Sequence, residues 1–143
     1  MRLPLIAAVA AVLPGCQTHN DALTTGAAHL EVSAAASSVI AGDMVSRFAE
    51  HVGQGKSTIV LKADASAFGK ALVVALKGWG YAVATDQKIE KEDQTIQLAY
   101  MVDNFEGQTF VHLSTEKIEL ARTYSTTATG ASPAAPLSVM RRT

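Results

Sequence analysis

Gly55-Lys56-Ser57-Thr58 has the residue types that close a phosphate-binding loop, where backbone N–H groups and a lysine cradle a phosphate. That pattern needs a glycine five residues before the Gly-Lys pair, and Glu50 stands there. The context is also reversed, because such a loop leaves a strand and enters a helix, whereas here a helical pattern precedes and a strand pattern follows. No nucleotide is expected. The four histidines, His19, His29, His51 and His112, share no metal-ligand spacing, and no pair of thiolates could complete a zinc site. Serines are numerous, yet no Gly-x-Ser-x-Gly elbow occurs, and Glu90, Glu92 and Asp93 cluster in a charged turn typical of solvation. The expectation is a protein with no catalytic, cofactor-binding or metal-ligating residues, and therefore not an enzyme. Among the aromatics, Trp79 continues the apolar stripe of a helix and belongs to a core, with Tyr81 beyond Gly80. Phe105 sits at a hairpin tip where no core is expected, so it is the candidate partner contact.

Cys16 is the only cysteine, so no disulfide can form within the chain. It follows Leu13-Pro14-Gly15, which resembles the bacterial lipobox: a large aliphatic residue three positions before the thiol and a small one just before it. The chemistry is a thioether on the cysteine sulfur followed by cleavage of the Gly15–Cys16 bond. Upstream, Met1-Arg2 and 11 residues from Leu3 to Leu13 form a positive n-region and a short apolar segment. A spanning helix needs roughly 20 apolar residues, so residues 1–15 read as a lipoprotein signal peptide and Cys16 as the lipidation site. Gln17 stands where Asp would be the inner-membrane retention signal. By analogy with Gram-negative lipoproteins, the expected location is the outer membrane, lipid-anchored, with the domain facing the periplasm.

The 143 residues leave room for one domain. The formal net charge of −1 becomes one unit more negative when Arg2 leaves with the signal peptide, which argues against a grip on nucleic acid. Residues 16–37 are small and polar and read as a flexible tether spanning roughly 25 Å, with the Ala-rich part from Ala34 able to extend the first helix instead.

Positioning of the candidate contact falls to the elements that follow. Ile40, Met44, Phe48 and Val52 recur every four residues, with Asp43, Arg47 and Glu50 opposite, which makes an amphipathic helix. Residues 57–61 read as a strand. Phe68, Leu72, Leu76 and Trp79 form the stripe of a second helix, capped by Asp64 or Ser66, and residues 81–84 make another strand. This strand-helix-strand unit should cross over in the right-handed sense. Ile96, Leu98, Tyr100 and Val102 alternate with Thr95, Gln97, Ala99 and Met101 as in a strand with one buried face. A hairpin loop over residues 104–108, a return strand over 109–113 and a last strand containing Ile118, Leu120 and Tyr124 complete the pattern. The expected fold is a small single-domain α+β protein over residues 38–126, helix-strand-helix followed by four mostly antiparallel strands, the helices packed on one sheet face. Residues 127–143, rich in Thr, Gly, Ala and Pro, are expected to be a disordered tail.

With the lipobox, Ile40-Ala41-Gly42-Asp43-Met44-Val45 and the run from Phe68-Gly69-Lys70-Ala71-Leu72 through Gly78-Trp79-Gly80-Tyr81-Ala82-Val83, the chain resembles the conjugal transfer protein TrbH family. The likeness covers residues 38–124. It implies a small lipoprotein acting as a structural component of a mating-pair formation (type IV secretion) apparatus, partnered by the membrane through its lipid and by other apparatus proteins. The alternative class is a free-standing periplasmic lipoprotein binding cell wall or a small ligand; an unrecognised hydrolase is a third.

Overall fold

A computed structural model describes residues 31–85 and 95–143; the segment read as a signal peptide, Cys16, and Glu90, Glu92 and Asp93 lie outside them. Helix α1 (Ala34–Val52) starts where the Ser33 hydroxyl accepts from the Ala36 N–H at 3.1 Å, and Gly53 ends it with φ 91°. Its apolar stripe, Ile40, Met44 and Phe48 with Ala41 and Val45, is fully buried. The buried face begins earlier than the sequence suggests: Val32, Ala36 and Ser37, assigned above to the tether, are buried. Helix α2 (Ala67–Gly78) is capped by Ser66, whose hydroxyl accepts from the Gly69 N–H at 3.0 Å, and buries Phe68, Leu72 and Leu76. Position 69 must be glycine, since a Cβ there would lie 2.6 Å from Asp64 Oδ1 and 2.7 Å from the Tyr100 hydroxyl.

Between the helices lies β1 (Thr58–Leu61), and β2 (Ala82–Ala84) follows α2. Then come β3 (Thr95–Phe105), β4 (Gln108–Ser114), β5 (Ile118–Thr126), β6 (Ala131–Pro133) and β7 (Ser138–Arg141). The sheet order is β2-β1-β3-β4-β5-β6, with β7 also on β5. β1 pairs in parallel with both β2 and β3, and every other pairing is antiparallel. Register aligns Ile59 with Ile96, Leu61 with Leu98, and Val111 with both Val102 and Arg122. Alternation therefore sets one buried face, containing Ile59, Leu61, Leu98, Val111, Leu113, Leu120 and Tyr124, against the two helices. Each fully buried large side chain on this face contributes roughly 1.5–3 kcal/mol to folding. The fold is a small single α+β domain, as the periodicity indicates.

The tail departs from expectation. Residues 131–133 and 138–141 add β6 and β7 to the free edge of β5, so six strands rather than four follow α2. A tight turn closed by Thr127 N–H to the Gly130 carbonyl at 2.9 Å starts the return. Pro133 and Pro136 interrupt the edge, where the missing N–H groups cost little because one flank has no strand to pair with. The gap is held by Ala134 N–H on the Thr123 carbonyl at 2.8 Å and by Arg122 Nε on the Ala135 carbonyl at 2.9 Å. Ala131 and Leu137 pack against the core. Edge pairing draws on backbone groups that composition does not reveal, and that is why a Thr-, Ala- and Pro-rich segment is ordered here.

Candidate functional site

Polar side chains on the inner side of the sheet are bonded to one another. Asp43, on α1, accepts from Arg122 Nη1 at 2.9 Å and from the Tyr124 hydroxyl at 2.6 Å, both on β5. The cluster ties the helix layer to the last full strand and, through Arg122, to the tail. Burial, reinforced by the hydrogen bond to Asp43, pushes the Tyr124 phenol well above its ordinary value. Sequence reasoning placed Asp43 on the solvent side. The missed signal is Arg122, which occupies an inward position in the alternation of Leu120 and Tyr124.

At the start of α2, a cleft of about 430 Å³ is lined by Glu31, Asp64, Ser66, Tyr100 and Asn104, among others. Its polar groups also serve the fold. Asp64 accepts from the Ser66 N–H and hydroxyl and from the Tyr100 hydroxyl, and Glu31 accepts from the Ala67 N–H at 3.1 Å. The Ser66 hydroxyl holds the Asp64 carboxyl below its usual value, so near neutral pH it is a carboxylate with no proton to donate. The two hydroxyls that adjoin it, of Ser66 and Tyr100, both donate to this carboxylate. A shallower groove between α1 and α2, about 650 Å³, is lined mainly by alanines with Ser38, Gly42 and Val74, and offers no reactive group beyond Glu31 and Lys70.

Other residues singled out in the sequence stand apart. Lys56 is exposed in the turn before β1, with Ser57 half-buried beside it, and a helix precedes while a strand follows. His51 lies in the last turn of α1, its Nδ1 3.0 Å from Arg141 Nη2, whereas His112 is on β4 with Nε2 3.9 Å from Glu119. Among the described residues no group of three or more His, Cys, Asp or Glu side chains could hold a metal ion. Tyr81 is buried, packs edge-on to Phe48 at 5.9 Å and donates to the Gly53 carbonyl, while Trp79 packs against the core. Both are structural.

All three tyrosines have phenol pKa values raised by burial. The unfolded chain therefore releases these protons first, at about pH 10, and stability that is complete below that value declines as pH rises through it. Near-UV titration of the folded protein is expected to show little phenolate until a late step that coincides with unfolding. A gradual titration centred near pH 10 with the fold intact would contradict this assignment.

Among the described residues the exposed large apolar side chains are Val39, Val74, Val139 and Met140, with Met101 and Phe105 on the outer face of the β3–β4 hairpin. The strands are joined by Glu106 (φ 49°) and Gly107 (φ 77°), a two-residue turn with both central residues left-handed. It is tighter than the five-residue loop expected, and Phe105 ends β3 opposite Gln108. Because Tyr100, Val102 and Asn104 share the inner face, Met101, Asp103 and Phe105 project outward, with Phe105 70% and Met101 51% exposed. Cys16 lies outside the described residues, so of the two candidate sites the structure places only Phe105. Among the described residues no helix is long and apolar enough to cross a membrane.

The comparisons agree with the resemblance. Residues 18–143 match the family model described as "Conjugal transfer protein TrbH". The chain is 48% identical to the "Probable conjugal transfer protein TrbH" of Sinorhizobium fredii, over 99% of each chain. No solved structure matches it significantly. By both its family match and this relative, the chain belongs to the TrbH family of conjugal transfer proteins.

Proposed function

We propose that this protein is an outer-membrane lipoprotein, anchored through Cys16, that serves as a structural component of a conjugative type IV secretion apparatus and catalyses no reaction. The observation that carries the reading is the exposed Phe105 on an open sheet face, in a domain whose inner polar groups bond to one another. A large aromatic held in water on a rigid strand end is a ready partner anchor, and burial of such anchors dominates protein–protein affinity. The other parts of the apparatus are the partners, the periplasm is where the domain lies, and no nucleic acid or nucleotide is bound. The second reading, a free-standing lipoprotein that holds cell wall or a small ligand, would use the cleft beside Tyr100. There the hydrogen bonds that cap α2 compete with any ligand.

Phe105→Asp is expected to weaken partner binding by roughly thirtyfold or more and to lower plasmid transfer accordingly. The melting temperature of the purified mature chain should hardly move, because an exposed substitution changes stability by about 0.5 kcal/mol or less. Lys56→Ala, Ser57→Ala and His112→Ala should leave transfer nearly intact. Loss of transfer in one of these three, with the chain folded and at its normal level, would replace the scaffold with an active site.

A further inference from the structure

The ladder carries the argument beyond Phe105. Asp103 pairs directly with Phe110, and Met101 and Phe105 are the outward residues on either side of Asp103 along the same strand. Phe110 is only partly covered and is not among the side chains that pack against the core. Three large apolar side chains, Met101, Phe105 and Phe110, thus surround one carboxylate on the outer face of a single hairpin. A second carboxylate, Glu106, stands at its tip. Among the described residues neither Asp103 nor Glu106 forms an ion pair, unlike Glu119 and Asp43, which are paired with arginines. Both are exposed, as are Met101 and Phe105.

We infer that the outer face of the β3–β4 hairpin docks a protein partner presenting a lysine or arginine among apolar side chains. This inference rests on the scaffold reading above and names the chemistry of its partner. Apolar anchors supply affinity, while the two unpaired carboxylates select the sign of the charge set against them and steer the encounter. A guanidinium aimed at Asp103 would also lie near the faces of Phe105 and Phe110, where a cation is attracted to the ring. The same carboxylates repel an anionic lipid surface, which is why a protein rather than the membrane is the occupant.

The test is photo-crosslinking in donor cells carrying the complete transfer system, with p-benzoylphenylalanine placed at Met101, at Phe105 or, as control, at Val74, which is 70% exposed on α2. Positions 101 and 105 are expected to yield one discrete adduct with another apparatus protein, and position 74 none. The attached peptide should contain a lysine or arginine. Asp103→Lys combined with Glu106→Lys should lower the adduct about tenfold or more and leave the mature chain folded. Adducts with lipid or with a second copy of this chain, equal yield at position 74, or indifference to the charge reversal would each overturn the inference. Fatty-acid labelling and transfer frequency are read in the same strains. If Phe105→Asp still abolishes transfer but the adduct is insensitive to charge, the scaffold reading stands and this one falls.

Discussion

Replacing Asp43 with alanine is expected to destabilise the domain by about 2–3 kcal/mol and to loosen the C-terminal edge of the sheet before the rest melts. Two charge-assisted contacts end on one carboxylate oxygen, from Arg122 at 2.9 Å and from Tyr124 at 2.6 Å. Arg122 and Asp43 retain only 16% and 23% of their side-chain exposure, and Tyr124 is fully buried, so water cannot readily replace what is lost. Each kilocalorie shifts the midpoint by roughly 4–8 °C in a domain of this size, which puts the expected drop at about 10 °C or more. Asp43→Asn keeps an acceptor without the charge and should cost about half as much. The distinguishing measurement is amide hydrogen exchange. Ala134, whose N–H bonds to the Thr123 carbonyl, and Arg142, whose N–H bonds to the Lys117 carbonyl, mark the two ends of the edge that Arg122 clamps through Ala135. Their exchange should accelerate in Asp43→Ala while that of β4 follows only the global loss. Unchanged exchange at these two amides, or a loss below about 0.5 kcal/mol, would show that the cluster is an ornament of the fold.

This cluster also shows where reading the sequence stops. Both helices, β1, and the alternating strands β3 to β5 are legible because their apolar period matches the face each must bury, as Ile40, Met44 and Phe48 or Leu98, Val111 and Leu120 show. Asp43 lies between those helical positions, so one-dimensional patterning sends it to solvent. Only the β5 register reveals Arg122 beneath it. The tail is harder still, because β6 and β7 are recruited by unpaired backbone groups of β5 and by one guanidinium, neither of which has a periodic signature. Phe105 was accessible as a hairpin-tip aromatic. Its neighbours on the outer face were not, since a two-residue turn rather than a longer loop decides that Phe110 faces Asp103.

Cys16→Ser is expected to abolish fatty-acid incorporation, leave the signal peptide attached and reduce plasmid transfer to the level of a deletion. The lipobox motivates the first two outcomes, because the thioether needs the sulfur and the lipoprotein peptidase acts after lipidation. The third follows from magnitude. Each methylene contributes about 0.8 kcal/mol to membrane attachment, and a lipoprotein terminus carrying at least two acyl chains does not detach on the timescale of assembly. The roughly 15 residues between a lipidated Cys16 and the buried Val32 would confine the domain within a few tens of ångströms of the bilayer, where effective concentrations reach the millimolar range. Releasing it to diffuse lowers that concentration by orders of magnitude, and a docking surface built on a few anchors cannot compensate. Two controls separate anchoring from export. A variant with a signal peptide cut by the ordinary signal peptidase and serine at position 16 delivers the same domain to the periplasm without lipid. If transfer depends on the anchor, this variant should fail as Cys16→Ser does, although its domain is folded and correctly located. Moderate overexpression should restore part of its activity by mass action. Equal labelling of Cys16→Ser and the parent would remove the lipid from the account altogether, and full transfer by the soluble periplasmic variant would leave the cysteine modified but dispensable.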